Sequence, residues 1–315
     1  MKRVLVTGGA GFIGSHLVEK LLSQGVAVTV LDNFETGYRE YLPSAVRLIE
    51  ADVVDPDAVE QSVVGSEIIF HLAAFASVPE SYERPERCFA VNTLGLLHLL
   101  RSAVRHRVRK FVFSSSSAVY SDEGERRKLE QEMPQPASPY AVTKLGGEQL
   151  LEIHAHMSGL SYVALRYFNV FGPRQSPDSD YAAVIPAFIR RALDGEDLII
   201  YGDGSQTRDF VYVDDVVRAN LEALHSDKGI YNIGLGTSLS ILELAQRVLE
   251  LSGARSGITF APPRPGDVHY SGADVSRARC ELGWTARCSI ERGLSETISW
   301  FRTQNGYTND RQFRD

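Results

Sequence analysis

Tyr140 and Lys144 fall four residues apart in the stretch SPYAVTK, residues 138–144. Pro139 suits the first turn of a helix, where its missing N–H is no loss. On such a helix Tyr140 and Lys144 share one face, a phenol beside an ammonium. Alone, that spacing describes many surface cation–π pairs. In the right company it describes a base, because a nearby cation favours the phenolate form of a group whose ordinary pKa is ~10.

Gly8, Gly11 and Gly14 supply that company. They form a GxxGxxG turn between the apolar run RVLVT (3–7) and the helical pattern FIGSHLVEKLLSQG (12–25). Glycine permits the tight turn and lets the backbone approach a pyrophosphate, whose charge meets the helix N-terminal N–H groups. Asp32 closes the next apolar run, VAVTVLD (26–32). A carboxylate there accepts the two ribose hydroxyls of adenosine and repels a 2′-phosphate, which points to NAD rather than NADP. Asp52 and Val53, in ADVVD after the third strand, are expected near the adenine ring.

The elements that must hold these groups alternate. Strands are expected at 3–7, 26–32, 46–50, 67–73, 110–116 and 161–167, and helices at 12–25, 56–63, 86–106 and 139–157. Such alternation predicts an α/β fold, a doubly wound parallel Rossmann sheet. Pro173, Pro177 and Pro186 then interrupt the pattern. A smaller C-terminal α/β substrate lobe is read from 171–207 and 235–305. The stretch 208–234 returns to the 1–170 NAD-binding domain, and 306–315 is a polar tail.

Hydrophobic residues make up 43 % of the 315 and charged residues 23 %, as in soluble globular proteins. A net charge of −7 gives no general attraction to nucleic acid or anionic membranes. The one basic run, RHRVRK (105–110), reads as a helix C-terminal cap. Cys88, Cys280 and Cys288 are an odd set without a CxxC pair. That argues against a disulfide framework or a metal site and for a reducing compartment. The glycine-rich start does not read as a signal peptide, and no apolar run reaches ~18 residues. A cytoplasmic protein without metal, nucleic-acid or membrane partners is expected.

Together TGGAGFIG, Asp32, HLAAFASVPES, FSSSSAVY, SPYAVTK and LRYFNVFGPRQ resemble the extended short-chain dehydrogenase/reductases, and among them the UDP-sugar 4-epimerases. The resemblance runs to about residue 303. It implies Tyr140 as catalytic base, Lys144 as its partner and Ser116 as a second hydrogen-bonding group, with Ser115 as the alternative serine. It implies a cofactor shell of Gly8, Gly11, Phe12, Ile13, Gly14, Asp32, Asn33, Asp52, Val53, Leu72, Ala73, Ala74, Asn92, Ser114, Tyr140, Lys144 and Phe168. Substrate contacts are implied for Ser116, Asn169, Tyr201, Arg208, Arg264, Asp267 and Ser271, the arginines matching a diphosphate through the guanidinium fork. In the family mechanism the tyrosine takes the sugar 4-hydroxyl proton while hydride moves from C4 to NAD. The 4-keto sugar then turns over and hydride returns to its other face. Lys144 and the cationic nicotinamide are expected to lower the pKa of Tyr140.

Rival readings stay within reach of the same residues. The 4,6-dehydratases carry a Thr followed by an acid in the serine segment, where this chain has Ser117 and Ala118, so elimination lacks its acid. A decarboxylase forming UDP-xylose is weakened for the same reason, and a UDP-glucuronate epimerase is a further alternative. A non-catalytic NAD-binding sensor has no need of Tyr140, Lys144 and Ser116 together. The resemblance also implies a homodimer through the helices at 86–106 and 139–157, both apolar around more of their circumference than one sheet contact needs. Finally, it implies a gate beside the sugar 2-substituent four residues after Asp267. Ser271 stands there, small enough to admit an N-acetyl group.

Overall fold

The computed structural model describes residues 3–120, 126–177, 183–264 and 268–304. Its first half follows the apolar periodicity: β1 (Arg3–Thr7), α1 (Phe12–Ser23), β2 (Ala27–Asp32), β3 (Arg47–Glu50), α2 (Pro56–Val63) and β4 (Ile68–His71). α3 (Val78–Glu83), α4 (Pro85–Phe89) and α5 (Gly95–Arg105) lead to β5 (Lys110–Ser116), α6 (Pro139–Ser158) and β6 (Ser161–Tyr167). Shorter elements come next: β7 (Asn169–Phe171), α7 (Val184–Asp194), β8 (Leu198–Tyr201), β9 (Thr207–Arg208) and β10 (Phe210–Tyr212). After α8 (Val213–Glu222) and β11 (Lys228–Ile233) the chain adds β12 (Leu239–Ser240), α9 (Ile241–Ser252), β13 (Ile258–Ala261), α10 (Ser276–Leu282) and α11 (Ile290–Gln304).

Seven of these strands form one sheet in the order β11-β6-β5-β4-β1-β2-β3, and every neighbouring pair is parallel. Alternate residues feed two cores, as the period of a strand requires. Val4, Val6, Val30, Phe70 and Val112 pack with Leu17 of α1, Val216 of α8 and the indole of Trp284. Leu5, Leu31, Ile69, Phe111 and Phe113 pack with Val59 of α2, Leu96 of α5 and Leu151 of α6. Chain order reverses between β1 and β4, so their carboxyl ends open the crevice in which such sheets bind ligands. A third core, around Phe171, Phe188, Leu198, Leu244, Leu294 and Phe301, holds the smaller lobe together.

Three features differ from the sequence expectations. The helix expected over 86–106 is α4 and α5 joined by one π-helical turn, Ala90–Leu94. That wide turn brings the Asn92 side chain inward. Its Oδ1 accepts from the Phe75 N–H at 2.8 Å, and its Nδ2 donates to the Phe75 carbonyl at 3.1 Å and to Thr143 Oγ1 at 3.0 Å. Second, α3 is an additional helix, capped by Ser77, whose side chain accepts from the Glu80 N–H. Third, Ala278, Leu282 and Trp284, in the stretch read with the smaller lobe, pack in the core under the large sheet. No helix among the described residues is long and apolar enough to cross a membrane. The polar tail at 306–315 lies outside the described residues.

Candidate active site

Ser138 starts α6, its hydroxyl accepting from the Ala141 N–H at 3.1 Å, and Pro139 follows in the first turn. Tyr140 and Lys144 are both buried on the face that α6 turns toward β5. Lys144 Nζ donates to the Ser114 carbonyl at 2.8 Å and stands 5.7 Å from the centroid of the Tyr140 ring. Ser116, the last residue of β5, hydrogen-bonds the Tyr140 phenol. Ser115 points the other way, as strand alternation demands, and donates to Glu148 Oε1 at 2.5 Å. Of the two serines, Ser116 is the one on the Tyr140 side of the strand.

Burial works against one expectation here. Burial raises the Tyr140 phenol, and the Ser116 hydrogen bond is the group that lowers it. Lys144 does not supply the expected downward pull. Its ammonium is engaged by the Ser114 carbonyl, and burial pushes Lys144 itself down to about 8. Desolvation of a charged phenolate outweighs a cation at this range. The remaining pull is left to a positive charge carried by a bound cofactor.

Behind this pair lies a network that sequence reasoning missed. Glu148, two turns past Tyr140, forms a bidentate, fully buried pair with Arg166 of β6: Nε to Oε1 at 2.8 Å and Nη2 to Oε2 at 2.7 Å. Arg166 Nη1 donates to the Tyr120 hydroxyl at 2.7 Å, which donates to Asn232 Oδ1 at 2.7 Å. Ser81 of α3 accepts from the Tyr140 N–H at 3.3 Å. A buried charge must be paired, so an acid on the apolar side of α6 carried a signal. Its partner, on a strand 18 residues away, did not.

The cofactor end is shaped by contacts that exclude side chains. A Cβ on Gly14 would stand 2.0 Å from the Gly8 carbonyl oxygen, and one on Gly8 would stand 2.6 Å from the Ala73 nitrogen. Gly8 also holds φ +69°, a conformation suited to glycine. Gly11 caps α1 without any side-chain cap, no acid stands in the first turn, and Phe12 and Ile13 present the first helical N–H groups. This end of α1 fits a pyrophosphate. Asp32 is buried; its Oδ2 accepts from the Ala10 N–H and its Oδ1 from the Phe34 N–H, each at 2.8 Å, and burial raises its carboxyl. Each oxygen keeps a lone pair for a ribose hydroxyl. Leu72, Ala73 and Ala74 line the end of β4, where Thr7 Oγ1 accepts from the Ala73 N–H at 3.2 Å. Asn33 Nδ2 donates to Asp52 Oδ2 at 3.1 Å, and Val53 is buried beside Gly95. Asn92 is turned to Phe75 and Thr143. Ser114 offers its carbonyl to Lys144, while its hydroxyl donates to Tyr167 at 3.3 Å.

The expected substrate residues fall in two groups. Tyr201 and Arg264 stack, the guanidinium 3.9 Å from the ring centroid. Asn169, Arg208 and Ser271 gather around residues 207–209. The Asp209 carbonyl accepts from the Asn169 N–H and Nδ2 at 3.0 and 3.2 Å. The Thr207 carbonyl accepts from Ser271 N–H at 3.1 Å and Arg208 Nη1 at 2.8 Å. Asp209 itself was not anticipated. Its buried carboxylate accepts from the N–H groups of Leu235, Gly236 and Ala273 at 2.5, 2.9 and 3.1 Å, and burial pushes it up to about 6. Phe168 is buried with Val119, Tyr120 and Ala273, which joins the 271–273 segment to the turn after Ser116. Tyr270 folds back over Gly272, its hydroxyl 2.8 Å from where a Cβ would stand. Asp267 lies outside the described residues.

Residues 4–234 match the family described as NAD dependent epimerase/dehydratase. The chain belongs to that family. NAD is therefore its cofactor, and the glycine turn and Asp32 fit its pyrophosphate and its adenosine ribose. The chain is similar to the crystal structure of a UDP-glucose 4-epimerase with UDP-glucose from Thermotoga maritima, at 42 % identity and a TM-score of 0.94, covering 96 % of this chain and 99 % of that one. It is similar also to a UDP-N-acetylglucosamine 4-epimerase from Methanobrevibacter ruminantium in complex with UDP-N-acetylmuramic acid, at 40 % identity and a TM-score of 0.93, over 96 % and 99 %. A UDP-N-acetyl-α-D-glucosaminuronate decarboxylase from Bacillus cytotoxicus is 37 % identical over 96 % of this chain and 99 % of that protein. The match is to extended short-chain dehydrogenase/reductases of more than one activity.

Proposed function

We propose that the protein is a nucleotide-sugar 4-epimerase that interconverts UDP-hexoses, UDP-N-acetylhexosamines or both. The observation that carries this reading is the Ser116–Tyr140 contact in a segment without a carboxylate, residues 114–120 reading SSSSAVY. A 4,6-elimination needs an acid for the leaving hydroxyl at this place, and none is there. Bound NAD supplies hydride acceptance and return at C4. Tyr140 takes and returns the proton of the 4-hydroxyl, Ser116 bonds to its phenol, and Lys144 braces the end of β5. Arg208 and Arg264 suit a diphosphate by their fork geometry, and Ser271 leaves room at the sugar 2-position.

The test is to incubate the protein with UDP-glucose, UDP-galactose and the two UDP-N-acetylhexosamines and follow products by NMR. Accumulation of the 4-epimer is expected. Release of a 4-keto-6-deoxy sugar, or turnover confined to UDP-uronates, would overturn the proposal. Nucleotide released on denaturation should be NAD⁺; NADP⁺ would remove the argument from Asp32.

A homodimer belongs to the same proposal. Val142, Ile153 and Met157 of α6 stay exposed, as do Phe89 and Leu94 beside it. Two copies pairing these helices would bury them in a four-helix bundle. Light scattering at micromolar concentration should give twice the chain mass, and a monomer would count against it.

A further inference from the structure

Arg87, on α4, reaches the two loops that follow β2 and β3. Its Nη2 donates to Glu35 Oε2 and to Asp52 Oδ2, both at 2.6 Å. Asn33 Nδ2 donates to the same two oxygens at 3.3 and 3.1 Å. Two carboxylates thus converge on one guanidinium nitrogen and one neutral amide. Without Arg87 they would face each other as like charges with only the amide between them, and such a pair repels. The Arg87, Glu35 and Asp52 side chains are 25 %, 42 % and 24 % exposed. Ion pairs at that exposure add little to fold stability and are screened by salt. The consequence of this one is the spacing of the two loops.

We propose that Arg87 is a positioning residue that latches loops 33–35 and 52–54 together at the adenosine half of NAD and sets how fast the dinucleotide leaves. The inference rests on the reading of Asp32, Asn33 and Asp52 as the adenosine end. Asp32, Glu35 and Asp52 outnumber the Arg87 guanidinium, and the Arg39 guanidinium over Phe34 is paired with Glu50, so the latch is not a receptor for a 2′-phosphate. It restrains a neutral ribose by closing the loops beside it.

The experiment follows release of NADH from the loaded protein by loss of its fluorescence on mixing with excess NAD⁺. Arg87→Ala should release NADH roughly three- to tenfold faster. Added NaCl should speed release from the wild type, where it screens the ion pairs, and slow it in Arg87→Ala, where it screens the repelling carboxylates. The nucleotide-free melting temperature should be the same for both. Glu35→Gln combined with Arg87→Ala should regain slow release, because the repelling pair is gone. A wild-type release rate in Arg87→Ala would overturn the latch, and so would fast release that Glu35→Gln does not correct. Asp32→Ala separates the two readings. If it sheds NADH while Arg87→Ala does not, only the latch fails; if it holds NADH like the wild type, the adenosine reading fails with it.

Discussion

Tyr140 and Lys144 stand buried on a helix, Ser116 stands half-buried at the end of a strand, and the Glu148–Arg166 pair backs them. Tyr201, Arg264 and Ser271 stand on strand ends and loops, held chiefly through backbone contacts and the Asp209 carboxylate. In the first region the side chains proposed to do chemistry are held inside the core, by the Ser114 carbonyl and by other side chains. In the second the backbone is fixed and the side chains are half-exposed or exposed. Proton transfer needs groups set in place before the substrate arrives. Recognition of a bulky, variable sugar tolerates a rim that adapts. Changes in the first region should therefore cost rate or stability, and changes in the second should shift substrate choice.

The largest effect is expected from Tyr140→Phe, which keeps the ring and removes the proton carrier. Turnover should fall by about 10²–10⁴, while bound NAD and the unfolding midpoint stay close to wild type. Steady-state assays with the preferred UDP-sugar, beside a denaturation curve, check both halves. Near-normal turnover would end the catalytic assignment.

Glu148→Ala comes next. It strands the Arg166 guanidinium in the core, and breaking a buried pair costs about 3–5 kcal/mol. Chemical denaturation should show the loss as a lower midpoint. An unchanged midpoint would mean that the catalytic face is held by packing alone.

On the rim, Ser271→Tyr should leave the midpoint alone and suppress turnover of the N-acetyl sugars, because overfilling a packed pocket costs ~1–3 kcal/mol. Turnover of the plain hexoses should persist. Equal loss for both sugar classes would show that position 271 supports the loop rather than selecting the substrate.

The sheet was legible because parallel strands buried on both faces leave continuous apolar runs between glycines, as in RVLVT and KFVFSSS. The glycine turn and Asp32 were legible because backbone proximity admits so few residue types there. The burial of Tyr140 was not, since spacing reports that a cation is near and says nothing of how deeply the phenol lies. Asp209 was hidden for a different reason: its three donors come from segments 26 to 64 residues away, and no local pattern marks that convergence. The π-helical turn escaped because apolar periodicity over 86–106 is satisfied by one regular helix almost as well as by an interrupted one.

That turn has a consequence for what lengths the chain tolerates. Ala90–Leu94 holds an extra residue within an otherwise regular coil, so it acts as a phase shift between everything before it and everything after. Five residues apart on a plain α-helix, Phe89 and Leu94 would diverge by about 140°; here both remain exposed while Asn92, between them, faces the interior. Deleting any single residue from 90–94 would re-phase the whole segment, freeing Phe75 and Thr143 from Asn92 and dividing the apolar stripe on the outside. Exposed side chains there are open to substitution, but Asn92 and the number of residues are not.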